Sequence, residues 1–178
     1  YYVKQLPASL VGMDGRRAAA GEVAPLSPEE ETAWRALGRA VVVIPRVLDS
    51  DLIQSEGLSL TEYTVLMNLS EAPERSLRMS ELANYVSISV SGLTRVVERL
   101  ERTGLVERVR STADGRGQLA RLTPAGLKCL KKAWPVHLES VRRHVMDHLQ
   151  NVDLAAFADA LEAIAQAEVG PPVRRRGR

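Results

Sequence analysis

Over most of this chain the apolar positions recur at spacings of three and four residues, the period of an α-helix with one buried face. The first such stripe runs Trp34, Leu37, Val41, Ile44, Leu48, Leu52. Ser27-Pro28-Glu29-Glu30 supplies its start, with serine as N-cap, proline in the first helical position and glutamate three residues after the cap. Pro45 lies inside the stripe and predicts a kink or break near Ile44. A second capping box, Ser59-Leu60-Thr61-Glu62, opens a helix through about Leu69, closed by Ala72-Pro73. Two more helices follow, over 80–86 and 89–103, separated by a tight polar turn. Ser89 is the N-cap of the second and Gly104 follows its last turn. Leu93, Val96, Val97 and Leu100 fall on one of its faces.

The pattern then changes. Residues 106–109 and 119–122 read as two short strands joined by a charged, glycine-rich tip over 110–117. Thr123-Pro124 caps a long helix running to about Leu149, with the stripe Leu127, Leu130, Trp134, Leu138, Val141, Val145, Leu149 and a bend expected at Pro135. A last helix starts near Asn151 or Asp153, carries Leu154, Phe157, Leu161 and Ile164, and stops at Gly170-Pro171-Pro172. The expected fold is mainly α with a small β-hairpin wing: a winged helix-turn-helix with flanking helices. The divisions are an N-terminal arm (1–26), a helix (27–57), the winged segment (58–123), C-terminal helices (124–168) and a basic tail expected to be disordered (169–178). The arm is rich in alanine, glycine and proline without a sustained period and reads as flexible. It opens on Tyr1 rather than methionine, which reads as something other than a plain translation start.

A helix-turn-helix with a wing grips DNA by laying its second helix in a major groove while the wing tip reaches the minor groove or phosphates. The outward face of helix 89–103 holds Ser91, Arg95, Glu98 and Arg102, with Thr94 and Arg99 on its flanks. Short hydroxylated side chains let a backbone approach base edges, and Arg95 suits guanine or phosphate. Taken alone, the same face is also what a solvated amphipathic helix with capping serines looks like. The tip Asp114-Gly115-Arg116-Gly117 is a turn sequence, but a turn does not require an arginine there. An arginine on a thin hairpin can enter a narrow minor groove, and Asp114 can brace it or Arg108 or Arg110.

Charge adds little on its own: 178 residues carry a formal +2. Its distribution says more. Residues 78–121 hold eight arginines against five carboxylates, net +3, and Arg174, Arg175, Arg176 and Arg178 add four positive charges. Hydrophobic content of 45% is that of a soluble globular protein. The longest apolar run, 41–44, is far short of a membrane span, and the start lacks a signal-peptide core, so the expected place is the cytoplasm and no membrane partner is expected. Cys129 is a lone cysteine, which rules out an intrachain disulfide and cysteine-pair zinc. It reads as a buried or inert thiol rather than a redox sensor, although Lys128 and Lys131 lie beside it. His137, His144 and His148 fall near one side of the long helix. His144 and His148 have the pitch of a shared metal site but no evident third ligand, so interface or flank histidines are the better reading. Trp34 and Trp134 read as packing residues. No phosphate-binding glycine loop, GxSxG or cysteine–histidine signature is present, and an enzyme is not expected.

The stretch SELA…SVSGLTRVVERLERTGLVERVRSTADGRGQLARLTPAG resembles the MarR (multiple-antibiotic-resistance regulator) family of bacterial transcriptional regulators. The likeness rests on the serine-rich start of the recognition helix, the RLERTGLVER transition, the acidic-x-Arg tip and the LTPAG exit, and with flanking helices it covers about 27–168. It implies a homodimer with interlocked terminal helices, bound to double-stranded DNA at a pseudo-palindrome and released by a small-molecule effector, most often as a repressor, without a cofactor. It also implies roles by position. Ser89, Ser91, Thr94 and Arg95 match the groove-reading helix start, Arg108 the strand arginine, Asp114 the bracing acid and Arg116 the minor-groove arginine. Arg99 joins the set as a phosphate or groove contact. Gly115 stands where many relatives have a second charged residue, which removes one phosphate contact from the tip. The competing reading is a winged-helix module that binds protein and not DNA. Such a module would place apolar residues on the outward helix face, where this chain has Ser91, Arg95, Glu98 and Arg102.

Overall fold

The structure, a computed structural model, describes residues 24–110 and 118–166. The chain divides into two compact units, with the boundary between Ala40 and Val41. Helix α1 (Pro28–Glu56) begins in the first unit and ends in the second, and it starts as the capping box requires. The Glu30 N–H donates to Ser27 Oγ at 3.2 Å, and the Ser27 N–H donates to Glu30 Oε2 at 2.7 Å. Arg35 pairs with Glu31 one turn before it. Of the kink or break expected near Ile44, the break does not occur: α1 is one helix with Pro45 inside it. Proline forfeits one backbone hydrogen bond of the ladder, and the buried Leu48 and Leu52 hold the helix that follows.

In the second unit, α2 (Leu60–Glu71) is the central element. It packs against β3 and three other helices. Its N-cap Ser59 and Glu62 form the expected reciprocal box, and Asp49 Oδ1 accepts the Leu60 N–H at 2.8 Å. Tyr63, Val65, Leu66 and Leu69 are buried and no residue from Leu60 to Ser70 is exposed, so α2 is covered on several sides. A 3-10 turn (Pro73–Arg75), with Glu74 and Arg75 at positive φ, leads into a strand that the sequence pattern did not reveal. This is β1 (Ser76–Arg78). Helices α3 (Met79–Tyr85) and α4 (Val90–Arg102) follow, then β2 (Val106–Arg110) and β3 (Gln118–Leu122). The wing is therefore part of a three-stranded antiparallel sheet in the order β1-β3-β2. Leu77 pairs with Ala120, and Arg108 with Ala120 on the other side. Three residues are too few to display alternation, and β1 exists because its partner lies 45 residues on, at the Ser76–Arg121 pair.

Helix α5 (Pro124–His144) ends earlier than the stripe predicts. Val145 leaves helical geometry at φ −131° and a 3-10 turn (Met146–His148) follows. Arg142, Arg143 and His144 crowd the last turn, where positive charge complements the helix dipole. Pro135 is accommodated within α5. Asp153 then caps α6 (Leu154–Gln166), its Oδ1 accepting the N–H groups of Ala155 and Ala156 at 3.0 and 3.1 Å.

The exit of α4 is joined closely to the start of α5. Gly104 takes φ +71°, a left-handed conformation that glycine adopts without strain. The Thr123 hydroxyl donates to the Gly104 and Leu105 carbonyls at 2.7 and 3.1 Å, and accepts the Gly126 N–H at 3.0 Å. A Cβ on Gly126 would stand 2.1 Å from the Leu105 carbonyl oxygen, so only glycine lets the helix sit this close.

Candidate nucleic-acid interface

Helix α4 is set on the core by Leu93, Val97 and Leu100, all at most 1% exposed, with Val96 beside them. Its start is fixed by Ser89, whose Oγ accepts the Gly92 N–H at 3.1 Å. With that face buried, Ser91, Arg95, Glu98 and Arg102 are exposed, as the periodicity requires. The turn from α3 is held by the Ser87 N–H on Asn84 O and the Ile88 N–H on Ala83 O, both 3.0 Å, with Ser87 at φ +56°.

The anticipated contact residues fall into two groups. Ser89, Ser91 and Arg95 lie on the accessible start of α4, and Thr94 is half-buried on its flank. Among the described residues no ion pair or hydrogen bond holds the Arg95 guanidinium. Arg99 and Arg108, by contrast, are held by carboxylates of the same chain, Arg99 at the exposed surface and Arg108 half-buried. Arg99 Nε donates to Glu62 Oε1 at 3.0 Å, tying α4 to the first turn of α2. Arg108 turns back from β2 onto α4. Its guanidinium donates to the Thr94 carbonyl at 3.3 Å and lies 3.5 Å from both Glu98 Oε1 and Glu101 Oε2. These two arginines brace the recognition helix in this conformation rather than extend from it. Asp114, Gly115 and Arg116 lie outside the described residues.

Glu62 was legible only as a helix cap. Its Oε2 accepts from the Ser59 N–H and hydroxyl at 3.0 and 2.8 Å, while Oε1 takes Arg99. Burial pushes its pKa up, but the hydrogen bonds from Ser59 and Arg99 outweigh burial and hold the carboxyl below its ordinary value. The link to Arg99 spans 37 residues, and no local signal announces it.

The histidines do not share surroundings. His137 packs against Tyr63 with ring centres 4.4 Å apart and planes tilted by 34°, and among the described residues neither His137 Nδ1 nor the Tyr63 hydroxyl has a hydrogen-bond partner. Burial lowers the His137 pKa and, with the Glu71 charge, pushes that of Tyr63 up to about 12. His144 Nε2 lies 3.2 Å from Asp51 Oδ2, which also accepts from Ser140 and, at 2.8 Å, from Arg143. The Ser140 hydrogen bond leads in holding the Asp51 carboxyl low. His148 is exposed. Among the described residues no three metal-binding side chains gather. Burial and the Glu56 charge raise the Cys129 pKa despite Lys132 nearby, which disfavours the reactive thiolate. Beside the Asp51 cluster, Gln54, Ser55, Val136, Glu139 and Arg143 line a polar crevice of about 180 Å³. No helix among the described residues is long and apolar enough to cross a membrane.

Comparison with known proteins places this geometry. The family model for the MarR family matches residues 56–117, which hold α2, both helices of the helix-turn-helix and the first strand of the wing. Sco3205 of Streptomyces coelicolor, a MarR family transcriptional regulator solved in complex with DNA, is 34% identical. The match covers 84% of this chain and 96% of that one, with a TM-score of 0.76. AbsC of the same organism, also a MarR family regulator, is 37% identical over 80% of this chain and 96% of its own, with a TM-score of 0.74. The HTH-type transcriptional repressor Rv2887 of Mycobacterium tuberculosis is 36% identical over 77 residues, 43% of this chain. Only 54% of that repressor is spanned, so the chain matches about half the length of such curated relatives. The two Streptomyces proteins are matched nearly end to end at more than 30% identity, and on that footing the chain belongs to the MarR family.

Proposed function

We propose that this protein is a cytoplasmic, sequence-specific DNA-binding transcriptional regulator, a repressor that binds a pseudo-palindromic operator as a homodimer and is released by a small-molecule effector. The observation that carries the reading is the accessible start of α4. It presents hydroxylated side chains and an unengaged Arg95 on a helix whose other face is locked into the core. Ser89, Ser91, Thr94 and Arg95 face the major groove. Arg116, braced by Asp114, enters the minor groove. Arg99 and Arg108 hold the helix at its working angle and add positive potential. The polar, charged outward face argues against a protein-binding module, which would need apolar anchors there. The likeness to a regulator solved with DNA supports the same conclusion. Residues 28–56, 124–144 and 154–166 supply the dimer interface. The crevice beside α5 gives an effector a place to act on a helix joined directly to α4.

Selection of oligonucleotides by the purified chain tests this. The expected product is a two-fold symmetric site with half-sites about one helical turn apart, ~10 bp. Affinity should fall with salt at a log–log slope of roughly −5 or steeper if about six phosphates are neutralised per dimer. Binding that selects no sequence, or that tolerates a half-turn insertion between half-sites, would overturn the reading.

A further inference from the structure

The first residue of the recognition helix is not polar. Val90 opens α4 and is 52% exposed, so the core does not account for it. A β-branched residue also contributes less to helix formation than most alternatives. The hydroxyls around it are already committed. Ser89 Oγ accepts the Gly92 N–H and lies 3.1 Å from Ser91 Oγ, and Thr94 Oγ1 donates to the Val90 carbonyl at 2.9 Å. The Thr94 bond also fixes the backbone that carries the valine. The helix start therefore presents a rigid isopropyl group to whatever it meets, beside serines whose first hydrogen bonds are internal. On the base edges of a major groove the one apolar group is the C5 methyl of thymine.

We propose that Val90 is a specificity-determining residue that reads a thymine methyl in each operator half-site. The proposal rests on the DNA-binding reading above and deepens it. It assigns discrimination to two unlike side chains on the first turns of α4. Val90 selects thymine by apolar contact and Arg95 selects by hydrogen bonding or charge. The serines mainly hold the helix start in shape.

Replacing each thymine of a selected operator in turn by deoxyuridine deletes only the methyl group, so the test leaves the protein untouched. One such replacement per half-site should weaken binding by the wild-type chain about fourfold, the order expected for one buried methyl. The Val90→Ala variant retains its fold, because the residue is half exposed and alanine favours helix. It should bind the thymine and the uracil operators equally. If wild type selects a site but tolerates uracil at every position, or if Val90→Ala pays the same uracil penalty as wild type, Val90 does not read thymine and DNA binding by α4 stands without it. If wild type selects no site at all, the DNA-binding reading fails and this proposal with it.

Discussion

Helices α4 and α6 are both thirteen residues long, and both carry apolar residues at three-and-four spacing, yet the fold treats them oppositely. In α4 the stripe Leu93, Val96, Val97, Leu100 is at most 7% exposed. In α6 the stripe Leu154, Phe157, Leu161, Ile164 is 38–58% exposed, and every residue of that helix is accessible. Periodicity declares that a helix has a face to bury; it does not declare whether the cover comes from the same chain. A helix of this kind gains little stability from propensity alone and depends on packing. α4 finds that packing inside one chain, whereas the α6 stripe is the kind of apolar surface that marks an association site. A second copy of the chain is the cover proposed here.

The sharpest way to break the contrast is to charge each face. Leu161→Asp should abolish dimerisation and with it operator binding, while the winged segment keeps its helical circular dichroism. Sedimentation velocity at micromolar concentration reports the first effect and a gel shift the second. A variant that stays dimeric would remove α6 from the interface. In α4 the corresponding site is buried within the chain, so truncation is enough: Leu93→Ala should cost about 2–5 kcal/mol in chemical denaturation. For a protein whose α6 is covered by a second copy, melting temperature rises with protein concentration. Leu93→Ala should lower the melt at every concentration, whereas Leu161→Asp should erase the concentration dependence.

Two smaller effects test what holds α4 against the core. Glu62→Gln keeps a side chain able to serve the α2 cap but loses the charged partner of Arg99. The expected cost is about 1 kcal/mol, given the partly exposed arginine, read as a loss of up to about fivefold in operator affinity. In chemical denaturation, which does not report the contribution of Arg99 to DNA, Arg99→Ala in the same background should add little, because the bond is already gone. Full additivity of the two would mean that Glu62 and Arg99 act separately. The smallest effect concerns His137. Burial lowers its pKa below 6.5, so the unfolded chain takes up its proton first as pH falls. Stability from the neutral ring is fully present above pH 6.5 and is lost as pH drops through the lower folded value. His137→Phe should flatten the fall of thermal stability as pH drops below about 6.5, and an unchanged slope there would place the titration elsewhere.

What could be read from the sequence follows the range of the interactions. Ser27, Ser59, Ser89 and Thr123 each cap the helix their neighbours predict, because a cap is settled within four residues. The buried face of α4 was legible for the same reason. Strand β1 was not, since its reason for existing is Arg121 and its neighbours. The end of α5 was misjudged because Val145 and Leu149 continue the stripe after the backbone has left the helix. Arg99 and Arg108 were recognised as important and assigned to DNA. Their present partners, Glu62, Glu98 and Glu101, are matters of tertiary geometry that spacing cannot supply. Side chains that no other described residue engages, such as Arg95, are the ones for which sequence position and exposure agree.

The joint at Thr123 has a mechanical meaning. One hydroxyl bridges the Gly104 and Leu105 carbonyls, in the turn that follows α4, to the Gly126 amide in the first turn of α5, where glycine alone allows so close an approach. Under the proposed regulation, a ligand that tilted α5 would re-aim α4 through this corner. In that reading the conversion of a displacement at one end into a change of aim at the other would call for no hinge, only for this corner to stay stiff.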